Sequence, residues 1–562
     1  MKAQICFVAI FIISLTLLTS CNKEVKDNWD AFTNEFVESY FKQNPDWAVY
    51  YGRHDYDGQI ADYSDKGVQD RLAWYKNQRV LAQQFKDVDH SEEQRLEKQN
   101  LLRVIDQNLF ISETARWPYN NAYYLSWQLS PSLYLEKDYA PLEKRMKSYV
   151  KYLQSMQITA KQIQINFANE QTLSRSYLII AKNVFGGFAE FMKTDAPKGF
   201  ENVKDEKLWQ VFNRESDKTI STLNEFVIWL DSKIPNASDS FAIGSEKYSQ
   251  MLYATDRISI PLPELKKMAE DDLERNLTAL KKACEKYLPG KTIEECIRVV
   301  KANKPKIGSI EEAKRLLPFL EKFLKENKIV SIPNYTKLYV RESPSFMRSS
   351  RAFITTPTSY DKEKVGIYYI TPPDPKWTKE LRDNYIYSNN ELLFNSAHEV
   401  WPGHFLQRLY SMNNSSLLSK IFWHYTTSEG WAHYSEEMMY EKGLGNHSPD
   451  YEIAMRLAAL NRNIRFIVSI KMHTEGMTVD EAEQMFLKYA YKDKAGAKQE
   501  AFRGSYDPQY YVYTFGKILI HKLKDEWMAQ NSSKDLNEFH TKFLSYGFIP
   551  ISLIEEDMLK KE

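Results

Sequence analysis

The sequence predicts a mainly α protein, two helical lobes around a cleft with a small β-sheet of about three strands. Three observations lead there. The 562 residues include only 19 Gly and 21 Pro, too few turn-formers for a barrel or sandwich of many short strands. Hydrophobic residues make up 43%, which excludes a disordered chain, and the length exceeds what one ordinary core accommodates. Apolar residues recur at three- and four-residue steps over most of the chain, and strict alternation is confined to one short region.

The elements follow in order. Residues 1–20 read as a signal peptide: Lys2, an apolar run from Ile5 to Leu18, then small residues before Cys21. Leu18-Thr-Ser-Cys21 is similar to a bacterial lipobox, so Cys21 is expected to carry lipid at the start of the mature chain. Residues 21–330 read as a helical N-terminal lobe. Leu265, Met268, Ala269, Leu273, Leu277, Leu280, Cys284 and Tyr287 form one amphipathic stripe. Thr292-x-x-Glu295, Ser309-x-x-Glu312 and Thr478-x-x-Glu481 each precede an apolar-periodic run in the pattern of a capping box. Cys284 and Cys296 flank the turn Leu288-Pro-Gly290; they are either a hairpin disulfide or two buried thiols.

Residues 331–562 read as a mixed C-terminal lobe. Alternation at 335–341, a β-rich stretch at 352–355 and alternation again at 365–371 are bounded by Pro344, Pro357 and Pro372-Pro373. Helices resume from Leu381. Lys+Arg and Asp+Glu are both 75, which argues against a nucleic-acid partner. The 36 Tyr and 12 Trp mostly serve cores and helix contacts; a lined binding cleft is the other use of such a supply.

The chemistry concentrates between 390 and 520. Six of the ten His lie between 398 and 473. Ala397-His398-Glu399-Val-Trp-Pro402-Gly403-His404 follows a helical run, so His398 and Glu399 belong on a helix. A His-Glu-x-x-His zinc motif sets its two His four apart on one face. Here the second His is six residues on, which on an unbroken helix turns the imidazoles about 120° apart. Pro402 cannot donate to the His398 carbonyl and Gly403 tolerates unusual dihedrals, so a kink there can swing His404 back beside His398. Downstream, Ser428-Glu429-Gly-Trp-Ala-His433-Tyr-Ser-Glu436 offers Glu429 as a third ligand, His433 as its rival, and Glu436 as a carboxylate that can steady a ligand imidazole.

His-Glu-x-x-Pro-Gly-His-x-x-Gln followed by Glu-Gly-Trp-Ala-x-Tyr-x-Glu resembles the signature of the bacterial family catalogued as domain of unknown function 885. Tyr339-Val-Arg-Glu-Ser-Pro344, the stretch from Arg462 to Gly476, and Arg503 to Gly516 extend the resemblance. In layout the family is similar to helical zinc peptidases such as thimet oligopeptidase, with a deep cleft and a small sheet next to the metal helix. The resemblance implies His398, His404 and Glu429 as ligands of Zn2+, Glu399 as general base, and a cleft or packing role for His433. It places His473 and Tyr513 where such enzymes keep oxyanion donors, and Arg503 where a substrate carboxylate is clamped.

The function expected is therefore a zinc-dependent hydrolase cleaving peptide bonds in short peptides. It is expected in the cell envelope of a Gram-negative-type bacterium, held to a periplasmic or outer-membrane surface by its lipid. Two alternatives stand beside it: a non-enzymatic lipoprotein that binds oligosaccharide or peptide, and a metallohydrolase of a non-peptide amide or ester.

Overall fold

A computed structural model describes residues 28–560 apart from 88–89, 171, 345–347, 349 and 531–533. The signal peptide and Cys21 lie outside the described residues. The protein is mainly α with one three-stranded mixed sheet. Among the described residues no helix is long and apolar enough to cross a membrane.

Among the described residues from Trp29 to Glu326 the elements are helices, with no strand between them. The amphipathic stripe predicted from Leu265 onward is the buried face of helix Leu262–Tyr287, where Leu265, Ala269, Leu280 and Cys284 are buried. Thr292 and Glu295 form the predicted capping box, as do Thr478 and Glu481. Ser309 does not. Gly308, at φ +85°, takes the N-cap position, so Ser309 is already the first helical residue and its side chain caps nothing. Cys284 and Cys296 are free and buried.

The strands fall where the alternation places them: β1 (Lys337–Glu342), β2 (Ala352–Thr355) and β3 (Val365–Ile370). The sheet order is β1-β3-β2, with β1 parallel and β2 antiparallel to β3. Tyr368 on β3 pairs in register with Val340 and Ile354, and its hydroxyl donates to Asn395 Oδ1 at 2.7 Å. That bond ties the central strand to helix Asn389–Glu399, one turn before His398. At Gly366 an added Cβ would lie 2.6 Å from the Phe405 ring, so the strand needs glycine to lie close to the next helix.

Apolar packing crosses position 330 in both directions. Phe36 and Tyr40 near the start of the described chain pack with Phe422, and the Leu265–Leu280 stripe packs with Leu457, Leu460, Ile464 and Ile467 of helix Pro449–Thr474. The candidate site sits in the C-terminal cluster, around the fully buried Trp401 and Trp431.

Candidate metal centre

Helix Asn389–Glu399 starts on a reciprocal capping box, Ser388 with Glu391, and stops abruptly after His398 and Glu399. Pro402 has no N–H to give the His398 carbonyl, so the helix cannot run through it. Val400 leaves helical geometry at φ −121°, ψ −73°, and the Gly403 amide folds back to donate to the Ala397 carbonyl at 2.9 Å. A Cβ at Gly403 would sit 1.7 Å from the His398 carbonyl oxygen, so only glycine fits this return. The next helix, His404–Asn413, begins at once. Trp431 Nε1 donates to the Pro402 carbonyl at 2.8 Å and pins the bend to helix Tyr425–Glu441. The bend brings the His398 and His404 rings to 4.8 Å between centroids, nearly perpendicular at 85°.

Helix Tyr425–Glu441 supplies the third group. Gly430 lies against Gly516: a Cβ on Gly430 would meet Gly516 Cα at 2.6 Å, and this close crossing seats the helix deep in the core. Glu429 Oε2 is 3.5 Å from His398 Nε2 and 3.5 Å from His404 Nε2, and it has no hydrogen-bond donor although it is buried. One ligand atom from each of the three residues lies within 4.8 Å of the other two.

The outer nitrogens are held separately. His398 Nδ1 faces Glu436 Oε1 at 2.7 Å, and Arg462 in turn grips that carboxylate, Nη2 to Oε1 at 2.9 Å and Nη1 to Oε2 at 3.2 Å. His404 Nδ1 reaches Ser428 Oγ at 3.3 Å. In the tautomers whose Nδ1–H points outward, both Nε2 lone pairs face the Glu429 oxygen, and three acceptors converge on one point. Ligands about 2 Å from a tetrahedral cation lie about 3.3 Å apart, close to the spacing of the carboxylate oxygen from each imidazole. The donor set, two imidazoles and one carboxylate, is that of a catalytic zinc site with an open fourth position.

Electrostatics follow from the same crowding. Burial raises the Glu429 carboxyl, but the two imidazoles beside it, His404 foremost, outweigh burial and hold it below the usual range. Burial and Arg462 oppose protonation of His398, yet Glu429 and Glu436 override them and push it up to about 9. Glu399 is raised, first by burial and further by Glu429, with both His398 and His404 opposing. Its carboxylate has no hydrogen bond among the described residues.

The other expected residues disperse. His433 is 1% exposed, neither ring nitrogen is hydrogen-bonded, and Nδ1 stands 3.7 Å from Glu436 Oε2, on a different side of that carboxylate from the metal set. His473 is fully buried between Phe241 and Tyr248, with Nε2 bonded to the Gly504 carbonyl at 2.8 Å; burial lowers it to about 4, so it is a neutral packing residue. Tyr513 lies beside the site: the Arg462 guanidinium is 5.8 Å from its ring, and its hydroxyl is 3.5 Å from that of Tyr425. Arg503 is engaged already, donating to Tyr425 Oη at 2.9 Å and Asp507 Oδ2 at 3.1 Å. Sequence reasoning missed Arg462 and Ser428 as site residues. Ser428 had a signal, since it precedes Glu429, and Arg462 had one as the start of a stretch that extends the family resemblance, but neither signal assigns a role.

Comparison with known proteins adds the following. The model of the family described as "Bacterial protein of unknown function (DUF885)" matches residues 45–558. A solved structure of a candidate lipoprotein of unknown function from Shewanella oneidensis is similar over 95% of this chain and 100% of its own, at 23% identity and TM-score 0.79. Another, a candidate lipoprotein from Colwellia psychrerythraea, covers 95% of this chain and 99% of its own, at 17% identity and TM-score 0.79. These likenesses concern the fold. No curated protein matches the chain.

Proposed function

The chain belongs to the bacterial DUF885 family, and we propose that it is a zinc-dependent hydrolase of the cell envelope that cleaves peptide bonds in short peptides. The observation that carries this reading is the convergence of His398 Nε2, His404 Nε2 and the orphaned Glu429 Oε2 on one point. A bound zinc ion would supply Lewis acidity, polarising a carbonyl and making water easier to deprotonate.

The remaining work falls to the chain. Glu436, itself held by Arg462, fixes the His398 tautomer so that Nε2 stays an acceptor. Ser428 does the same for His404. Glu399 adjoins the first ligand, and its raised carboxyl suits a base that takes the proton from the attacking water and returns it to the leaving amine. Tyr513 keeps the role of a hydroxyl donor to the substrate carbonyl, because it lies against the arginine that holds Glu436. His473 drops out, its Nε2 being engaged with Gly504, and so does Arg503 as a carboxylate clamp. Export and lipidation at Cys21 remain part of the proposal. They rest on Leu18-Thr-Ser-Cys21 and agree with both similar structures being candidate lipoproteins.

The test pairs metal analysis with a digest. Purified protein should retain about one zinc per chain after dialysis and cleave members of a short-peptide library, with cleavage abolished by chelator and restored by zinc. Protein that binds zinc but cleaves no peptide would overturn the hydrolase reading, and protein that binds no metal would overturn the site.

A further inference from the structure

Helix Tyr425–Glu441 is buried along nearly its whole length. From Tyr425 to Tyr440 only Tyr425 and Glu429 keep partial exposure. They are four residues apart, so they share one helix face with their Cβ atoms about 5–6 Å from each other. Side chains on a helix lean toward its N-terminus, which tips Glu429 toward the turn that Tyr425 opens. The Tyr425 phenol thus borders the same open space as the third ligand.

A second phenol meets it there. Helix Val512–Gln530 crosses closely at Gly516, where an added Cβ would lie 2.4 Å from the Thr426 carbonyl oxygen. That crossing sets Tyr513, one turn before Gly516, against Tyr425: the rings are 6.1 Å apart at 71°, and the hydroxyl oxygens are 3.5 Å apart. The Tyr513 ring also lies 5.8 Å from the Arg462 guanidinium, whose Nη2 is 3.2 Å from His398 Nδ1. The two hydroxyls are therefore tied to the metal set twice, along one helix to Glu429 and through Arg462 to His398.

Counting protons shows what the pair can do. Arg503 Nη2 donates to Tyr425 Oη at 2.9 Å, so that oxygen accepts from a cation and its own proton points elsewhere. The arginine is fixed in place: Nε and Nη2 each lie 3.1 Å from Asp507 Oδ2, and the guanidinium sits 4.6 Å from the Tyr510 ring. Trp423 packs on the Tyr425 ring at 5.2 Å and limits its motion. The 3.5 Å between the two hydroxyls is too long for a strong O–H···O bond. A single oxygen about 2.8 Å from each would complete two good ones. A phenol that accepts from a guanidinium is also the stronger donor, because each bond polarises the next.

We propose that Tyr425 is a catalytic residue which, with Tyr513, donates a hydrogen bond to the substrate carbonyl oxygen as that oxygen gains negative charge, and that Arg503 is the positioning residue that aims the Tyr425 hydroxyl. The inference rests on the hydrolase reading and deepens it. Neither phenol gives up its proton. The two bonds strengthen as charge develops, so they lower the barrier more than they tighten substrate binding.

The test uses the zinc-loaded protein, the fastest-cleaved member of a short-peptide library, and a phosphinic isostere of trialanine. The tetrahedral, charged phosphinyl group of the isostere stands in for the attacked carbonyl. Tyr425→Phe removes only the hydroxyl. It should keep its zinc and its KM and lose on the order of 10²–10³ in kcat. Its affinity for the isostere, by calorimetry, should fall about 10–100-fold. Arg503→Lys should lower kcat about 10-fold in the parent and cost nothing further in Tyr425→Phe, because it acts through that hydroxyl. Equal costs in the two backgrounds overturn the positioning role. A Tyr425→Phe protein with the parent's kcat and isostere affinity, or with its loss confined to KM, overturns the catalytic role and leaves the hydrolase reading standing. A parent protein that cleaves no library peptide and does not bind the isostere overturns both.

Discussion

Glu436 and Glu437 are neighbours on one helix and equally buried, at 2% exposure, yet they belong to opposite kinds of polar cluster. Glu437 faces a closed network. Lys517 Nζ lies 2.8 Å from Asp272 and 3.3 Å from Glu437, Arg456 donates to Glu437 at 2.7 Å, Arg275 spans both carboxylates, and Asn276 and Asn463 take up much of what is left. Every carboxylate oxygen of Asp272 and Glu437 faces a donor or a cation of the chain, and the cluster joins helices Leu262–Tyr287, Tyr425–Glu441, Pro449–Thr474 and Val512–Gln530. Glu436 faces the metal set, where Arg462 satisfies the outer carboxylate but the inner atoms of His398, His404 and Glu429 are all acceptors. Burial makes both clusters expensive to leave incomplete. The difference teaches what each set of groups can hold: the first cluster is balanced by its own cations, and the second presents a donor set that fits a metal cation.

The largest expected effects break the open cluster. Glu399→Gln retains the metal ligands but cannot accept a proton, and should lose about 10²–10⁴ in kcat with zinc content unchanged. His404→Ala should be equally inactive but metal-poor, by direct metal analysis. If His404→Ala keeps its full zinc, the bend at Pro402-Gly403 does not deliver a ligand.

Breaking the closed cluster should leave metal binding alone and strike stability instead. Lys517→Met strands Asp272 and Glu437 without their shared cation, at a cost of about 3–5 kcal/mol in chemical unfolding. An unfolding curve indistinguishable from the parent's would show that Arg275 and Arg456 suffice.

Buried histidines outside both clusters sharpen the contrast by their response to acid. His473 is bonded to the Gly504 carbonyl, and His540 to the Ile329 carbonyl and the Tyr434 hydroxyl, with no carboxylate on either ring. Burial lowers them to about 4 and about 3, whereas the carboxylates around His398 raise it. A histidine depressed in the folded state binds fewer protons there than in the unfolded chain. Its stabilisation is therefore complete above the unfolded value near 6.5 and fades as pH falls toward 4, by on the order of 3 kcal/mol for each such residue. Denaturant midpoints measured at pH 7.5, 6 and 5 should fall in that order, and His473→Gln should flatten the slope. A slope that the substitution leaves untouched would rule His473 out as a contributor.

The smallest effect is expected at the hinge between the clusters. Glu436→Gln keeps a hydrogen bond to His398 but removes the charge that Arg462 and the imidazole share. Zinc affinity should weaken about 10–100-fold, read by competition with a chelator of known affinity. No change in affinity would assign Glu436 to packing alone.

Much of this was legible locally. The three strands, the Thr292 and Thr478 caps and the Leu265 stripe depend on neighbours within one or two turns, and so does the bend at Pro402-Gly403, because a missing N–H ends a helix wherever it occurs. Ser309 was misassigned as a cap for an equally local reason, since Gly308 reaches the cap geometry at less cost. What was not legible depends on partners far along the chain. His473 shares helix Pro449–Thr474 with Arg462, and Arg503 and Tyr513 lie on the helices Lys494–Tyr506 and Val512–Gln530, but helical phase says which residues share a face and not what is packed against it.

The sequence by itself determined a mainly α chain with one small sheet, the helix break after Glu399, and the residue types able to hold a cation, because backbone chemistry and short-range spacing decide these. Tertiary structure alone decided that Glu429 meets both imidazoles, that Glu436 and Arg462 stand behind His398, and that His473 turns inward to Gly504. Each of these is a contact between segments tens of residues apart. The free energy that selects them comes from burying the Trp401 and Trp431 core and from pairing charges once water has left, and neither is written into any single stretch of chain.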